Sequence, residues 1–200
     1  MGIGGNGMNK NINDRLNEII RAEGSYVNHG SDKGGPTNWG ITAATLGHWR
    51  GLGRAATEEE VNALEKSEAR DIYRQRYVTG PGFDHVADVS PMIGWEVIDS
   101  GINFGQSVSA TWLQRWLSGL NRQQRDYADL TIDGLVGRKT VAALTAFLNK
   151  RGVEGEEVLF MGLNCSQAAR YLELGEIREK NEDFMYGWVR GRVLEQVKPL

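Results

Sequence analysis

Three polar residues early in the chain have the types and spacing of a hydrolytic site. Glu23 is followed by Asp32 nine residues later and by Thr37 five residues after that. A carboxyl group held against apolar neighbours loses hydration and keeps its proton more readily, which suits a general acid. A second carboxyl group in a wetter loop stays ionised, and two such carboxyl groups are the usual equipment for cleaving a glycosidic bond. We therefore expect Glu23 to be the acid, Asp32 a base or charge stabiliser, and Thr37 a hydroxyl that orients water.

Aromatic and amide side chains in the same stretch could hold a sugar. The rings of Tyr26 and Trp39 could stack on sugar faces, and Asn28 and Asn38 could hydrogen-bond hydroxyl or acetamido groups. Plainer interpretations stand beside these. Glu23 could be an exposed acid at a helix end, Asp32 a turn residue, Thr37 an ordinary loop hydroxyl and Trp39 a core residue.

The element that positions Glu23 is an amphipathic helix. Apolar residues recur on one helical face, and Glu23 continues the series Ile12, Leu16, Ile19, Ile20. Asn11 or Asn13 can cap the start of this helix, and Gly24 ends it. The pattern therefore directs the Glu23 side chain toward the core.

Helices are predicted for most of the remaining chain. "TEEE" at Thr57–Glu60 is a capping box that opens a helix reaching about Tyr77, and the glycines and prolines of Thr79–Pro91 predict a loop. The next helix, Met92–Phe104, is apolar on nearly every side, which predicts a central, buried position. Later apolar series predict helices around Val108–Leu120, Val141–Leu148, Glu154–Leu174 and Phe184–Val197, with a turn at Ile132–Gly137.

The predicted fold class is therefore mainly α, with a central buried helix and at most a small β element after the first helix. Asp99 and Asn103 lie four residues apart on the predicted central helix and share one face. The pair could line a cleft, or it could form a buried hydrogen-bonded pair.

Composition narrows the classes of partner. The chain has 200 residues, 40% of them apolar and 24% charged, with a net charge of −3. These values are typical of a soluble globular protein and leave no basic field for nucleic acid. No apolar run is long enough for membrane insertion. A signal peptide is not recognisable, so synthesis in the cytoplasm is expected.

The residues that bind metals are too few and too scattered to predict a metal site or any other cofactor. Cys165 is the only cysteine, so an internal disulfide is excluded, and the three histidines have no paired spacing. At the N-terminus, "MGIGGNG" satisfies a dinucleotide-binding pattern by count, but no strand precedes it. We interpret residues 1–10 as a flexible leader or tag.

Several motifs together resemble glycoside hydrolase family 108. The first motif comprises Glu23-Gly24-Ser25-Tyr26, then Asp32, Gly34, Gly35, Thr37, Gly40, Ile41 and Thr42. Ser25 stands where that family usually has a second glycine. Later segments are similar to the family's predicted peptidoglycan domain: Asp99–Gly105 with Asn103, Trp112–Gln114, Asp133–Gly137 with Thr140, and Phe184, Gly187, Trp188 and Arg192.

The resemblance implies a lysozyme-like helical fold and N-acetylmuramidase activity on peptidoglycan glycan strands, with Glu23 as the catalytic acid. The order Glu23, Asp32, Thr37 is also similar to the Glu/Asp/Thr arrangement of phage-type lysozymes. Many relatives are phage or prophage lysis proteins, which implies release by a holin and action on the cell wall or in the periplasm. Tyr26, Asn38, Trp39, Asp99 and Asn103 are the expected substrate-binding residues.

We expect residues 11–90 to form the catalytic part and residues 91–200 a helical peptidoglycan-domain part packed with it as one compact unit. Two other functions remain open. The chain could bind peptidoglycan without cleaving it or serve as a secretion helper, or it could be a lytic transglycosylase that leaves an anhydro-sugar. Turnover separates the first alternative from an enzyme, and product mass separates the second from a hydrolase.

Overall fold

The computed structural model describes residues 11–27 and 35–197, which form two compact units. The first unit lies within Lys10–Arg76 and the second within Tyr77–Leu200. Both are mainly helical, and the strands among the described residues form one two-stranded sheet. The predicted fold class is therefore confirmed. The leader predicted at residues 1–10 lies outside the described residues.

The first unit opens with the predicted amphipathic helix. Helix α1 (Ile12–Glu23) is capped by Asn11, whose side chain accepts a hydrogen bond from the Asn13 N–H. The helix ends before Gly24, which has a φ of 85° that glycine adopts without strain. Its apolar face is buried through Leu16, Ile19 and Ile20. Ser25 is not among the residues with positive φ, so its replacement of a glycine strains nothing.

A small β-hairpin occupies the predicted position after α1. Strand β1 (Thr37–Asn38) pairs antiparallel with β2 (Ile41–Thr42), and an isolated bridge joins Val27 to Thr37. Thr42 then caps helix α2 (Ala43–Trp49) by accepting from the Thr45 N–H. Hairpin and helix α2 are thus joined without a linker.

The sequence predicts one continuous helix from Thr57 to about Tyr77. This prediction is wrong, because the structure has two separate helices in this segment. The capping box at Thr57 is present, but α3 (Glu58–Asn62) ends early and α4 starts separately at Lys66 (Lys66–Arg74). The reason lies in the hairpin: the Asn38 amide donates to the carbonyl oxygens of Val61 and Asn62. Hairpin side chains therefore satisfy main-chain acceptors that a continuous helix would have used internally.

The second unit is built from longer helices. A π-helix, Gln75–Thr79, leads into it from the first unit. The helices that follow are α5 (Phe83–Val89), α6 (Pro91–Phe104), α7 (Gln106–Leu120), α8 (Arg138–Ile177), α9 (Glu182–Trp188) and α10 (Glu195–Val197). A 3₁₀ turn, Glu179–Asn181, precedes α9, and a π-helix, Val189–Leu194, precedes α10.

Helix α6 is the central element of this unit, as its composition predicts. Every residue from Ile93 to Gly101 is buried, and α6 packs against α5, α7 and α8. Pro91 occupies its first turn, where a missing N–H costs nothing. The loop predicted for Thr79–Pro91 is wrong, because α5 forms there and buries Phe83 and Val86 against its neighbours.

Two predicted helices merge into α8. The backbone departs from helical geometry at Gly152, with φ 60° and ψ −147°, which marks the interruption that the sequence predicts between Leu148 and Glu154. The predicted helix at Phe184–Val197 is divided into α9, a π-helix and α10. None of the helices in residues 11–27 and 35–197 combines the length and apolar character needed to cross a bilayer.

The structure and the predicted domain boundary divide the chain at different points. The compact units meet at Arg76 and Tyr77, whereas the sequence places the boundary between residues 90 and 91. The predicted boundary and the predicted packing of the parts as one unit stay predictions.

Candidate active site

Glu23 is the last residue of α1, and its side chain is exposed. The expectation of an apolar niche is therefore wrong, because the stripe formed by Leu16, Ile19 and Ile20 turns away from solvent one helical turn earlier. Among the described residues, no hydrogen bond fixes the Glu23 carboxylate. The side chain nevertheless has a defined neighbour, since a methyl group placed on Gly40 would lie 3.1 Å from Glu23 Cγ. The acid thus sits at the edge of the hairpin.

The hairpin holds Thr37 beside the end of α1. Main-chain hydrogen bonds join Thr37 and Val27 in both directions, at 2.8 Å and 3.0 Å. The Thr37 hydroxyl is half-buried and donates to the Gly35 carbonyl oxygen at 3.4 Å. Thr37 is therefore placed by the backbone, and the Gly35 carbonyl oxygen is the only hydrogen-bond partner of its side chain among the described residues. Its predicted role in orienting water stays a prediction.

Asn38 is a structural residue in this geometry. The side chain is 5% exposed, and its amide donates to the Val61 and Asn62 carbonyl oxygens at 3.0 Å and 3.2 Å. The amide nitrogen therefore has partners, whereas the Asn38 Oδ1 atom is buried without a hydrogen bond among the described residues. The predicted substrate-binding role stays untested, and the burial favours a role in fixing the hairpin to α3.

Trp39 is held in an unusual backbone conformation at the tip of the hairpin. Its φ of 52° is in the left-handed region, and its indole N–H donates to the Leu64 carbonyl oxygen at 3.2 Å. The Lys66 ammonium lies 5.8 Å from the ring centroid, within cation–π range. The half-buried ring therefore has both an anchored N–H and a cation on one face.

Tyr26 borders a cleft of about 510 Å³ whose other lining residues are Thr57, Glu58, Glu59 and Asn62. The Tyr26 hydroxyl donates to Glu58 Oε1 at 2.7 Å. An aromatic ring among carboxylates, a hydroxyl and an amide is a suitable surface for a polar, uncharged polymer such as a glycan. The position of Tyr26, three residues after Glu23, places this cleft on the segment that follows the acid.

Two predicted site residues cannot be located in this geometry. Asp32 and Asn28 lie outside the described residues. The predicted pairing of Asp32 with Glu23, and its role as base or charge stabiliser, therefore stay predictions.

Asp99 and Asn103 belong to a hydrogen-bonded network in the second unit. Asp99 is 1% exposed and forms an ion pair with Arg192. Its second carboxylate oxygen accepts from the amides of Asn103 and Gln167, both at 3.2 Å. This burial favours the alternative of a satisfied structural pair. The predicted substrate-binding role of the two residues stays untested.

Ion pairs set the electrostatics around the helices of the first unit. Hydrogen bonds from Arg54 and from the Thr57 backbone lower the pKa of Glu60 to about 2, which keeps the capping box ionised. A hydrogen bond from Arg50 likewise lowers the pKa of Glu68. Both carboxylates are therefore hydrogen-bonded to arginine side chains and stabilise the structure of the unit. No group of three metal-ligating side chains occurs within the part of the chain that the structure describes.

The first unit thus has the parts of a lysozyme-type glycosidase: an acid at a helix end, a small hairpin against it, and a polar cleft with an aromatic wall. Comparison with known families gives the particular assignment. Residues 16–105 match the model of Glycosyl hydrolase 108, and residues 108–193 match the Predicted Peptidoglycan domain. Residues 16–105 are therefore assigned to glycosyl hydrolase family 108, and the chain is a glycoside hydrolase that acts on peptidoglycan.

A solved structure supports the same relationship across both units. The structure of Brucella abortus SagA is similar with a TM-score of 0.61 and 26% sequence identity, over 93% of this chain and 91% of that chain. No curated protein sequence matches the chain significantly.

The sequence did not single out the cleft residues of α3 or the surroundings of Gly40. In the sequence, Glu58 and Asn62 are ordinary polar residues of a predicted helix, and in the structure both are exposed. Nothing in their spacing predicts that Tyr26 approaches them. Tyr73 lies on α4 and is buried, with 5% of its surface exposed. Its hydroxyl is the one signal that could have marked it as more than a core residue.

Proposed function

We propose that the chain is an N-acetylmuramidase that hydrolyses the β-1,4 bond from N-acetylmuramic acid to N-acetylglucosamine. The observation that carries this proposal is the position of Glu23. It ends α1 with its carboxylate accessible, beside the hairpin and within the residues that match Glycosyl hydrolase 108. An accessible carboxylate on the segment that leads to Tyr26 and its cleft can reach the oxygen of a bound glycan.

In the proposed reaction, Glu23 transfers its proton to the glycosidic oxygen as the bond to the anomeric carbon breaks and its electron pair stays on that oxygen. Asp32 stabilises the positive charge on the anomeric carbon or takes a proton from water, and Thr37 orients that water. The water oxygen then bonds to the anomeric carbon and gives up one proton, to Asp32 if Asp32 acts as the base and otherwise to the Glu23 carboxylate, which completes hydrolysis.

Because Glu23 is exposed, we expect the bound substrate to remove water from its carboxyl group. In the free protein, the Glu23 side chain is exposed to water. A glycan strand lying over the end of α1 displaces that water and favours the neutral acid. The acid is therefore prepared by substrate binding in this account.

The setting that we propose is host-cell lysis by a phage or prophage endolysin. The protein is made in the cytoplasm, reaches the cell wall when a holin opens the membrane, and cleaves the glycan strands there. The similarity of the Glu23, Asp32 and Thr37 order to phage-type lysozymes supports this setting. Expression in bacteria with and without a co-expressed holin tests it, since rapid lysis is expected only with the holin.

Mass spectrometry of digested peptidoglycan tests the proposed reaction. Hydrolysis at the proposed bond leaves reducing N-acetylmuramic acid ends. Reducing N-acetylglucosamine ends would contradict the bond assignment, and 1,6-anhydro ends, lighter by one water, would identify a lytic transglycosylase. Borohydride reduction before analysis distinguishes the first two, because it labels only the sugar that carries the free end.

A further inference from the structure

Three groups of the first unit meet at Gly40. A methyl group placed on Gly40 would lie 2.5 Å from the Tyr73 hydroxyl oxygen and 3.1 Å from Glu23 Cγ. These distances are shorter than ordinary van der Waals contacts to carbon. The space beside Gly40 is therefore one in which the Tyr73 hydroxyl and the Glu23 side chain face each other, and only a glycine leaves it open.

The Tyr73 hydroxyl approaches this space from a well-fixed position. Tyr73 lies on α4, which packs against α1, and the side chain is 5% exposed. Gly40 has a φ of 75°, a left-handed conformation in which a side chain would be strained. A buried tyrosine on one helix thus reaches the terminal residue of another across a hairpin glycine.

We propose that Tyr73 is a positioning residue for Glu23, whose hydroxyl forms a hydrogen bond with the carboxyl group when substrate covers the site. This inference rests on the proposed function, because it assigns Tyr73 a task only if Glu23 is the acid. Glu23 Cγ and the Tyr73 hydroxyl oxygen both lie close to the same point beside Gly40, so rotation about the Cβ–Cγ bond of Glu23 can bring its carboxyl group toward that hydroxyl.

A phenolic hydroxyl suits this task chemically. It both donates and accepts, so it can bond the carboxylate or the neutral acid without a proton of its own being lost. An exposed glutamate samples several rotamers, and a fixed partner selects the one that points at the glycosidic oxygen. The hydroxyl on α4 therefore compensates for the burial that Glu23 lacks.

The first test is Tyr73→Phe, measured on two substrates. On a soluble glycan-strand fragment, kcat is expected to fall about tenfold with KM unchanged, the size of one hydrogen bond to a charged group. On an aryl glycoside of the same sugar, the phenolate leaves with little protonation, so the loss is expected to be less than threefold, roughly. The ratio of the two rates does not depend on how much enzyme is folded.

Tyr127→Phe is the matched control, since the Tyr127 hydroxyl donates to the Leu117 carbonyl oxygen at 2.7 Å in the second unit. Its two rates should keep the wild-type ratio. If Tyr73→Phe also keeps the wild-type ratio, or lowers both rates equally, Tyr73 is a structural residue and the inference is wrong.

Gly40→Ala gives a second, independent measurement. The added methyl group should lower both thermal stability and glycan cleavage, because it collides with the Tyr73 hydroxyl. Combining Gly40→Ala with Tyr73→Phe removes that oxygen, so the double variant should be more stable than Gly40→Ala alone. Additive losses of stability would show that the two groups do not meet, which would contradict the inference.

Failure of the proposed function would look different. If wild-type protein releases no reducing ends, the enzyme assignment itself is wrong and Tyr73 has no acid to position. If the wild type cleaves glycan and Glu23→Gln does not, the proposed function stands, and the substrate ratio of Tyr73→Phe decides the inference alone.

Discussion

Two sets of predicted site residues, one in each unit, lie in different environments. In the first unit, hairpin side chains donate to main-chain carbonyl oxygens of the next segment, as Asn38 and Trp39 do, and the candidate acid Glu23 is exposed. In the second unit, the polar side chains of Asp99 and Gln167 bond each other within a helical core. Polar groups fix an irregular segment in one unit and lie inside regular packing in the other.

The difference suggests a division of tasks between the units. Short elements need side-chain-to-backbone bonds to hold a defined shape, because they bury little apolar surface of their own. An irregular shape is also what presents an acid, a hydroxyl and a cleft together. We therefore expect substitutions in the first unit to separate activity from stability, and substitutions in the core of the second unit to affect stability first.

The largest effect is expected at Glu23, where a substitution should lower activity but not stability. Glu23→Gln keeps the shape of the side chain but removes the transferable proton, so the rate of reducing-end release should fall about 10³-fold. The melting temperature should stay unchanged, because the side chain is exposed. Asp14→Asn, at an exposed carboxylate near the start of α1, is the control and should keep full activity. Equal activity of both variants would remove Glu23 from the reaction.

At Asp99 we expect the opposite result, in which a substitution lowers stability but not activity. Asp99→Ala leaves Arg192 without its ion-pair partner and removes the acceptor of two amides, which should cost about 3 kcal/mol in the free energy of unfolding. Urea unfolding measures this cost. At temperatures where the variant is folded, kcat on a soluble glycan should match that of the wild type. A raised KM with unchanged stability would instead assign Asp99 to substrate binding, as the sequence suggested.

Asn38 sharpens the comparison because it combines a predicted site role with a structural position. Asn38→Ala removes one donor from the Val61 carbonyl oxygen, which keeps the Leu64 N–H, and the side-chain donor from the Asn62 carbonyl oxygen, so we expect a loss of about 1 kcal/mol in unfolding free energy. Chemical denaturation followed by tryptophan fluorescence provides the measurement. Wild-type stability with a raised KM would make Asn38 a sugar ligand.

The smallest expected effect concerns the capping box of α3. Thr57→Ala removes the side-chain acceptor of the Glu60 N–H and should cost about 1 kcal/mol. The Glu60 carboxylate contributes stability above the ordinary glutamate pKa, and this contribution is lost as the pH falls toward its folded pKa of about 2. Glu60→Gln should therefore flatten the stability profile between pH 4.5 and about 2. An unchanged acid slope in that variant would contradict the assignment.

Helical periodicity predicted most of the fold, because it depends on local sequence. It located α1 and offered Asn11 or Asn13 as its cap, of which Asn11 is the cap in the structure, and it identified α6 as central from apolar residues on nearly every side. Helical periodicity failed where a helix ends because of a contact with a residue that is distant in sequence. The break between α3 and α4 depends on Asn38, which lies 23 residues before its acceptor Val61, and no local pattern contains that information.

The candidate site was predictable in residue type but not in environment. The stripe of Leu16, Ile19 and Ile20 correctly defines the buried face of α1, yet Glu23 lies at the last position of the helix, where the chain no longer covers that face. The cleft beside Tyr26 likewise depends on α3 packing next to it. Exposure at a helix end is a property of packing, which helical spacing alone does not determine.

The most direct test of the account counts chemical events per bound protein molecule. Wild-type protein is incubated with purified peptidoglycan, the sedimented protein is quantified, and new reducing ends are measured in the same sample. The account predicts many reducing ends for each bound molecule, with reducing ends absent when the bound protein carries Glu23→Gln. Tight sedimentation of the wild type with fewer than about one new end per molecule would contradict it, because differential stabilisation of a transition state requires turnover.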